Sequence, residues 1–386
     1  MRILTALTYY RPHISGLTIY TERLAKALAR RGHEVTILTS QFDRSTPREE
    51  VKDNVLIVRA PVLMRISKGV VMPTIGLLAT RLVLENEIIH LHLPQFDAAG
   101  IALRGRMLSK PTILTYHCDL KLPPGLFNRT ANYAVNLMNH LAALSAHRIV
   151  TYTDDYAWHS PYARRYYGKV ETILPPVELP AVSKEAVRCF AQEYALDGRS
   201  PVIGMAARFA AEKGIEVLLN ALPEVLRSNP NAVVLYAGQY QDVLGEDEYA
   251  ARLFPAIDKY RERGQWRFLG VLDPSRMAAF YPNLDVLVVP SLNSTESFGL
   301  VQVEAMMNGV PVVASDLPGV RQPVSITGMG RIFPAGDSSA LAEALSSVLD
   351  APHEYRSDPE LIANQFSPAA AAVAYEALYE KIKGEI

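Results

Sequence analysis

The apolar segments of this chain alternate between strand length and helix length, and the alternation restarts after Pro175 and Pro176. Strands separated by helices need crossover connections, so they form parallel sheets that are covered by helices. The chain has 386 residues, of which 49% are hydrophobic, and this is enough to bury two separate cores. We therefore predict an α/β fold made of two Rossmann-like, doubly wound parallel-sheet domains that face a central cleft.

Both halves contain a series of predicted elements. The first half opens with a βαβ unit: a strand at residues 3–8, a helix at 18–31 that Gly32 ends, and a strand at 34–39. The other predicted strands lie at residues 55–58, 88–91, 112–116, 148–152, 202–206, 232–237, 267–269, 286–289 and 310–314. Further helices are predicted at residues 215–227, 249–263, 277–281, 300–307 and 367–382. Doubly wound sheets bind ligands at the carboxyl ends of their strands, so a site is expected in the loops that follow these strands.

The net charge of −1 is divided unevenly along the chain. Residues 1–175 contain 22 Lys and Arg against 13 Asp and Glu, which gives +9, whereas residues 176–386 contain 17 against 27, which gives −10. A basic half favours an acidic partner, either anionic lipid headgroups or a polyanion. Two domains that attract each other are the alternative explanation of the asymmetry, and the sequence leaves both interpretations open.

The cysteines and the N-terminal residues favour a reducing compartment. Cys118 and Cys189 are isolated, so neither a disulfide framework nor a zinc site is expected. The chain passes from Met1 directly into a predicted strand without the pattern of a signal peptide, and it has no uncharged apolar run long enough to span a bilayer. We expect a cytoplasmic protein, with peripheral attachment to the inner face of the cell membrane as an open alternative.

The segment at residues 296–315 is the most informative one for function. Glu296 and Glu304 flank Phe298, Gly299 and Leu300, where a predicted helix begins. The start of a helix offers backbone N–H groups and a positive dipole to a phosphate, while carboxylates accept hydrogen bonds from hydroxyl groups. The combination suits a ligand that carries both phosphate and sugar, namely a nucleotide sugar. The alternative is an acidic first turn that only complements the helix dipole.

Two cations follow the strand predicted at residues 202–206. Arg208 and Lys213 lie five residues apart in a strand-to-helix loop, so both can reach one anion. Arginine provides a bidentate fork and lysine a compact charge, which together suit a diphosphate that gains charge as its bond to a sugar breaks. Two solvated cations at a turn are the alternative.

These loops resemble those of a known family, the retaining glycosyltransferases of family 4, which belong to the glycosyl transferases of group 1 and have the GT-B architecture. The segments that share order and spacing with this family in the second half are residues 208–214, 268–271, 285–291 and 296–315. The first half is similar more loosely, in Gly16, in the helix-to-strand junction at residues 31–35 and in the pair Tyr116 and His117.

The resemblance implies two domains with separate tasks. An acceptor-binding domain would comprise residues 1–177 and a nucleotide-sugar-binding domain residues 178–366, with a helix at 367–386 that packs back onto the first domain. Closure of the two domains over the donor would exclude water from the reaction.

The resemblance also assigns catalytic roles to four residues. Arg208 and Lys213 bind the diphosphate, and Glu296 lies by the hydroxyl groups of the donor sugar. His117 lies close to the donor sugar from the opposite domain, where it hydrogen-bonds a hydroxyl or helps to place the acceptor. A histidine after a strand is, taken alone, more often structural.

Six further residues correspond to donor-binding positions of the family. Glu304 accepts a hydrogen bond from the nucleotide ribose, main-chain groups near Val271 border the base, and Gly16 lies close to the donor phosphate. The backbone of the helix start continues the phosphate cradle through Phe298, Gly299 and Leu300.

Three loops depart from the family pattern. Ser15 precedes Gly16 where many members have a second glycine, so only one position keeps the freest backbone. Gln239 stands after Gly238 in place of another glycine, and residues 318–321 replace a glycine-rich turn. Detailed contacts to the base and to the phosphates are therefore not transferred from the family.

The predicted reaction moves a hexose from a nucleotide-diphosphate sugar, UDP-sugar first and GDP-mannose second, to a hydroxyl acceptor with retention of configuration. No metal and no cofactor are expected, because the nucleotide sugar is a substrate and protein groups oppose the charge of the leaving phosphate. No nucleic-acid partner is expected. A dinucleotide-dependent oxidoreductase is excluded because residues 8–16 lack the glycine fingerprint. A non-catalytic nucleotide-sugar binder or membrane-associated scaffold of the same fold is the alternative.

The acceptor is less defined by the sequence. Residues 59–72 are basic and apolar, and they are followed by Leu77, Leu78, Leu82 and Val83. Such a stretch suits peripheral contact with anionic lipid, and family members that glycosylate lipid-linked acceptors use the N-terminal domain in this way. A core helix with two exposed cations is the alternative. A lipid or lipid-linked glycan as acceptor is thus a hypothesis.

Overall fold

The structure is a computed structural model that describes residues 1–66, 69–120 and 126–386. It divides into two compact units, the first formed by Met1–Pro176 with Phe366–Ile386 and the second by Val177–Gln365. Each unit has a largely parallel sheet with helices packed on it, so the predicted α/β fold with two doubly wound sheets is confirmed. Within the described ranges, no helix is long and apolar enough to cross a membrane.

The first unit is built on an eight-stranded sheet. The strands described in this unit are β1 (Arg2–Ala6), β2 (Glu34–Gln41), β3 (Glu49–Lys52), β4 (Val55–Pro61), β5 (Met64–Ile66), β6 (Gly69–Val71), β7 (Ile88–Leu93), β8 (Thr112–Tyr116), β9 (Arg148–Thr151) and β10 (Val170–Thr172). The sheet has the order β10-β9-β8-β7-β1-β2-β4-β3 and is parallel except for β3, which pairs antiparallel with β4 at one edge. β5 and β6 pair antiparallel in a separate two-stranded sheet.

Helices cover both faces of this sheet. They are α1 (Gly16–Arg30), α2 (Ile75–Glu85), α3 (Ala98–Met107), α4 (Leu126–Ser145), α5 (Asp154–His159) and α6 (Pro161–Arg165). Successive side chains of a strand point to opposite faces. In β7, Leu91 and Leu93 join the core with α2, α3 and α4, whereas His92 points to the other face and lies against Tyr20 of α1.

The second unit is built on a six-stranded sheet in the order β13-β12-β11-β14-β15-β16, all parallel. Its strands are β11 (Val202–Ala206), β12 (Val233–Ala237), β13 (Trp266–Gly270), β14 (Val286–Val289), β15 (Val312–Ser315) and β16 (Gly330–Phe333). Its helices are α7 (Lys184–Glu193), α8 (Ile215–Ser228), α9 (Asp247–Glu262), α10 (Pro274–Phe280), α11 (Leu300–Met306), α12 (Gln322–Thr327), α13 (Ser338–Asp350) and α14 (Pro359–Gln365). The strand order reverses between β11 and β14, which makes this the switch point of the sheet.

The last helix, α15 (Pro368–Glu385), belongs to the first unit. Ser367 caps its start by accepting a hydrogen bond from the N–H of Ala370. The hydroxyl of Tyr375 lies 2.7 Å from that of Tyr20 in α1, and both side chains are fully buried. Arg31 donates both Nε and Nη2 to the carboxylate of Glu376 at 2.6 Å. Buried hydroxyls and a bidentate ion pair thus hold α15 against α1.

The basic and apolar stretch considered for lipid contact is not one continuous surface. Arg59 lies on β4 and is buried, because it donates to the carboxylate of Glu50 on β3 and to the carbonyl of Pro47. Arg65 is exposed, and Ser67 and Lys68 lie outside the described residues. Other members of the stretch and of the following helix are buried in the core, namely Met72, Leu82 and Val83.

Candidate active site

Two loops meet at the switch point of the second sheet. β11 and β14 pair directly, and the loop after β11 carries Lys213 while the loop after β14 carries Glu296. Lys213 Nζ lies 2.5 Å from Glu296 Oε2, and less than a quarter of either side chain is exposed. A short charge-assisted hydrogen bond of this kind fixes both loops in one geometry. Two residues predicted separately from their motifs are therefore brought together.

A glycine allows the two loops to approach each other. Gly214 has a φ of +67°, and a Cβ atom built on it would lie 2.0 Å from the carbonyl oxygen of Pro290. In the same region the N–H of Leu292 donates to the carbonyl of Glu212 at 2.9 Å. Only glycine combines the left-handed backbone with so close a neighbour. The position of Lys213 next to it depends on this contact.

Arg208 lies on the same loop with its guanidinium exposed. Its Nη2 donates to Glu212 Oε1 at 3.1 Å, and 54% of its side chain is accessible. The adjacent Phe209 is fully buried, and its N–H donates to the carbonyl of Gln239 at 2.8 Å. The backbone beside Arg208 is therefore fixed while its charged end can turn towards an anion. Glu212 was not predicted as a partner, although its spacing of four residues from Arg208 was a usable signal.

The start of α11 is held by a buried glutamine that the sequence analysis missed. Gln302 Nε2 donates to the carbonyls of Phe298 and Val320, both at 2.8 Å, and its side chain is fully buried. Gly299 begins the turn with a φ of +79°. These contacts fix the backbone from Phe298 to Leu300, whose predicted task is to face a phosphate. A glutamine between the apolar residues Val301 and Val303 of this helix was the signal for this role.

Glu304 lies one helical turn further along α11 and is buried. The hydroxyl of Tyr281, itself fully buried, donates to Glu304 Oε2 at 2.7 Å. Tyr281 was not predicted, and a tyrosine 23 residues earlier in the chain gives no sequence signal for such a pairing. The bond orients the carboxylate from within the protein core. Glu304 thus has a fixed direction before any ligand arrives.

Val271 follows β13 at the same edge of the sheet. Its side chain is 66% exposed, and the preceding Gly270 has a φ of +70°. Beside it, the rings of Tyr240 and Phe268 stack with centroids 4.2 Å apart. The loops after β11, β12, β13 and β14 all leave the carboxyl edge, as expected for one binding surface on a parallel sheet.

His117 lies in the first unit, directly after β8, with its ring buried. One ring nitrogen, Nε2, lies 2.8 Å from His92 Nδ1, and the other, Nδ1, bonds to the hydroxyl of Tyr152. Burial, with a smaller contribution from His90, lowers the pKa of His117 to about 3. The imidazole is therefore neutral at physiological pH, and both of its nitrogens have partners within this unit. In the described ranges, no group of three or more His, Cys, Asp or Glu side chains is arranged to hold a metal ion.

Gly16 is the first residue of α1. The hydroxyl of Ser15 caps this helix by accepting a hydrogen bond from the N–H of Thr18 at 3.2 Å. A Cβ atom on Gly16 would meet no atom of the described residues within 4 Å. Packing within the described ranges therefore does not explain why this position is a glycine.

A cavity of about 410 Å³ lies at the carboxyl ends of β2 and β4 in the first unit. Its lining combines cations, a carboxylate and apolar groups: Gln41, Phe42, Asp43, Arg44, Val62, Leu63, Met64 and Arg65. The guanidinium of Arg65 lies 4.1 Å from the centre of the Phe42 ring, a cation–π contact that leaves its charge at the cavity. The rings of Tyr9 and His13 also pack against Phe42.

Two family models match the chain one after the other. Glycosyltransferase Family 4 matches residues 14–179, and Glycosyl transferases group 1 matches residues 189–365. The chain belongs to the family 4 glycosyltransferases. This confirms the resemblance inferred from its loops. The first model matches the N-terminal part of the glycosyltransferase, and the second matches its C-terminal part.

Curated relatives include two proteins named phosphatidyl-myo-inositol mannosyltransferase. This glycosyltransferase is 39% identical to that of Mycobacterium leprae over 36% of its own length and 34% of the relative's. It is 27% identical to that of Mycolicibacterium smegmatis over 87% of its own length and 81% of the relative's. The alignment thus covers about a third of one relative and most of the other.

Solved structures share the fold over the whole chain. Sucrose-phosphate synthase from Thermosynechococcus elongatus superposes with a TM-score of 0.78 and 21% identity over 100% of both chains. The Anabaena protein HepE in complex with UDP and glucose superposes with a TM-score of 0.74 and 17% identity over 99% of this chain and 100% of that chain. At these identities the likeness concerns the fold alone.

Proposed function

We propose that this glycosyltransferase transfers a hexose from a nucleotide-diphosphate sugar to a hydroxyl acceptor, with the second unit holding the donor. The observation that carries the proposal is the contact of Lys213 with Glu296 at the switch point between β11 and β14. It places a cation suited to phosphate and a carboxylate suited to sugar hydroxyls side by side. A ligand with a diphosphate bonded to a sugar has a partner for each of these two groups.

The proposed chemistry rests on charge. Breaking the bond between sugar and diphosphate leaves negative charge on the phosphate, and Lys213 and Arg208 stabilise that charge as it develops. The exposed guanidinium of Arg208 releases Glu212 and donates to the diphosphate instead. The N–H groups at Gly299 and Leu300 provide further hydrogen-bond donors. Glu296 then accepts hydrogen bonds from the sugar and holds its ring. Side chains take the neutralising role, so the proposed reaction proceeds without a metal. The family resemblance implies retention at the anomeric carbon, so the acceptor oxygen bonds on the face that the diphosphate leaves, and the departing diphosphate takes up the proton of the acceptor hydroxyl.

The remaining donor contacts follow from the same edge of the sheet. Glu304, oriented by Tyr281, accepts from the ribose hydroxyls, and the backbone at Val271 borders the base. From the first unit, Gly16 lies close to the donor phosphates. The ring of His117 is neutral. It binds a sugar hydroxyl only if its hydrogen bond to Tyr152 or to His92 breaks. Its principal proposed task is therefore to position the loop after β8.

UDP-sugar is the first donor proposed and GDP-mannose the second. The fold is shared with a protein solved with UDP and glucose, while two relatives are named as mannosyltransferases. The proposed acceptor is a hydroxyl of a lipid or lipid-linked glycan, because those relatives are named for phosphatidyl-myo-inositol. The cavity beside Phe42 and Arg65 is the proposed seat of its polar part.

The test is turnover by the purified protein. UDP-, GDP- and ADP-sugars are offered one at a time with a membrane extract, and released nucleotide and labelled glycolipid are measured. We expect one donor to be consumed, and Lys213→Ala to lower the rate roughly 100-fold or more because a phosphate-binding charge is lost. Lys259→Ala, an exposed lysine on α9, is the matched control and should leave the rate unchanged. Consumption of no donor by the wild type would favour the non-catalytic binder instead.

A further inference from the structure

The outer face of α4 is apolar. Tyr133, Leu137, Leu141 and Leu144 are 72%, 42%, 42% and 66% exposed. Spacings of four, four and three residues place them in one stripe along the helix. Single exposed leucines are common on protein surfaces, but a continuous stripe of large apolar side chains marks a contact surface.

The orientation of α4 is fixed by polar groups on its inner side. Asn139 is fully buried, and its Oδ1 accepts the N–H of Gln95 at 3.3 Å. The carbonyl of Asn139 accepts the hydroxyl of Tyr162 at 2.9 Å. The inner side of α4 thus buries Asn139 with the small side chains of Ala142 and Ala143, while the large apolar side chains face outward. Rotating the helix to bury the leucines would break these buried bonds, so the apolar stripe has to face outward.

The neighbouring helix α3 extends the apolar surface. α3 packs against α4, and its end exposes Leu103, Met107 and Leu108 at 51%, 76% and 39%. We call the outer surfaces of these two helices the α3–α4 face, defined by its exposed apolar side chains: Leu103, Met107, Leu108, Tyr133, Leu137, Leu141 and Leu144.

The charged side chains on α3 and α4 are all positive. Arg104 and Arg106 lie on α3, Lys110 follows it, and Arg129 lies in the first turns of α4. Neither helix contains an aspartate or a glutamate. An apolar stripe on helices whose charged side chains are all Lys and Arg matches a surface that has a hydrocarbon interior and negative headgroups.

We infer that the α3–α4 face docks on an anionic lipid membrane. The apolar side chains enter the boundary between headgroups and acyl chains, and the surrounding cations contact the headgroups. A second copy of the chain suits this face less well, because a two-fold contact would place the same cations opposite each other. The inference builds on the proposed lipid acceptor and moves membrane contact away from residues 59–72, part of which is buried.

The test is sedimentation with vesicles in the absence of donor and acceptor. Vesicles of phosphatidylcholine alone are compared with vesicles that also contain phosphatidylglycerol. We expect the wild type to bind the anionic vesicles and to dissociate as salt is raised. Leu137→Glu combined with Leu141→Glu should lower the bound fraction roughly tenfold or more, since apolar insertion is lost and charge is inverted. The matched control is Ile332→Glu with Leu361→Glu, two exposed apolar side chains of the second unit outside the loops of the candidate site, which should bind like the wild type.

A second variant separates charge from apolar contact. Arg106→Glu with Arg129→Glu should weaken binding to anionic vesicles and leave the apolar side chains in place. Circular dichroism and donor hydrolysis should match the wild type for every variant, because the changed side chains are exposed. Equal vesicle binding by the Leu137 variant and its control would overturn the inference. A wild-type dimer in light scattering that the same variant dissociates would assign the face to a second copy instead. Loss of vesicle binding with intact transfer to a detergent-dispersed acceptor would leave the proposed function standing.

Discussion

Lys213 and Glu296 are 83 residues apart in the chain, yet their charged atoms lie 2.5 Å from each other. The contact exists because β11 and β14 are neighbours in the sheet although β12 and β13 separate them in sequence. Each residue alone is a charge on a loop. Together they form a cation and an acceptor at the point where a doubly wound sheet binds its ligand.

Glu296→Gln tests the acceptor half of this pair. The amide keeps the size of the side chain but removes the charge that pairs with Lys213 and that accepts from sugar hydroxyls. We expect kcat/KM for the donor to fall about 10- to 100-fold, in line with the loss of a hydrogen bond to a charged group. Steady-state kinetics with varied donor measures this, and Glu224→Gln on the exposed side of α8 is the control. Unchanged kinetics in the Glu296 variant would remove this residue from the proposal.

Gly214→Ala tests whether the loop after β11 requires a glycine where it passes Pro290. Alanine there adopts a left-handed backbone and brings its Cβ towards Pro290 O, so the loop must move. Gly309→Ala is the matched control, since Gly309 also has a positive φ, of +75°, but a Cβ there meets no atom within 4 Å in the part of the chain that the structure describes. We expect the control to lower the free energy of unfolding by about 1–2 kcal/mol, and Gly214→Ala to lower it further and to weaken donor binding. Equal losses in urea unfolding would show that the close approach is unimportant.

Tyr281→Phe removes the buried hydroxyl that donates to Glu304. The ring is kept, so packing in the core is preserved while the carboxylate loses one donor. We expect the free energy of unfolding to fall by about 1–3 kcal/mol and the Kd for the nucleoside diphosphate to rise. Tyr260→Phe on α9 is the comparison. If urea unfolding changes while titration calorimetry gives the same Kd, the bond from Tyr281 does not prepare Glu304 for nucleotide binding.

Three buried histidines predict that the free energy of unfolding depends on pH. Burial lowers the pKa of His90 and His117 to about 3, and burial with the neighbouring histidines lowers the pKa of His92 below its usual value. The unfolded chain titrates these groups near pH 6.5, so below that pH it binds more protons than the folded protein does. Their contribution to stability is therefore complete above about pH 6.5 and is lost progressively towards about pH 3.

His90→Gln measures one member of this group. Urea unfolding at several pH values between about 5.5 and 6.5 gives the slope of stability against pH, and the variant should reduce it by up to about 1.4 kcal/mol per pH unit, the value for one proton. The slope is informative even if the substitution lowers stability at every pH. An unchanged slope would mean that His90 is protonated in the folded protein.

The sequence predicted the buried strands well because a parallel strand covered on both faces is apolar along its whole length. The segments at residues 202–206 and 112–116 coincide with β11 and β8. β3 lies at the edge of the sheet and was not predicted, because its sequence, Glu-Glu-Val-Lys, contains no apolar run. Pairing with β4, rather than its own composition, makes it a strand.

The candidate site was predictable in its residue types but not in its contacts. Arg208, Lys213 and Glu296 stand in loops after apolar strands, and that position alone suggested them. The bond of Tyr281 to Glu304 and the partners of His117 arise from packing between distant segments, for which one sequence carries no signal. For Arg59 the residue type itself was misleading. Its charge suggested a position on the protein surface, whereas the side chain is buried and pairs with Glu50 across β3 and β4.

Calorimetric titration of the purified protein with UDP-sugars and GDP-mannose tests the central claim most directly. We expect one nucleotide sugar to bind at a single site, and Arg208→Ala combined with Lys213→Ala to raise its Kd roughly 100-fold or more, as the loss of two charge-assisted contacts requires. Lys259→Ala should bind as the wild type does. An unchanged Kd in the double variant, or saturable binding of none of these sugars, would contradict the account.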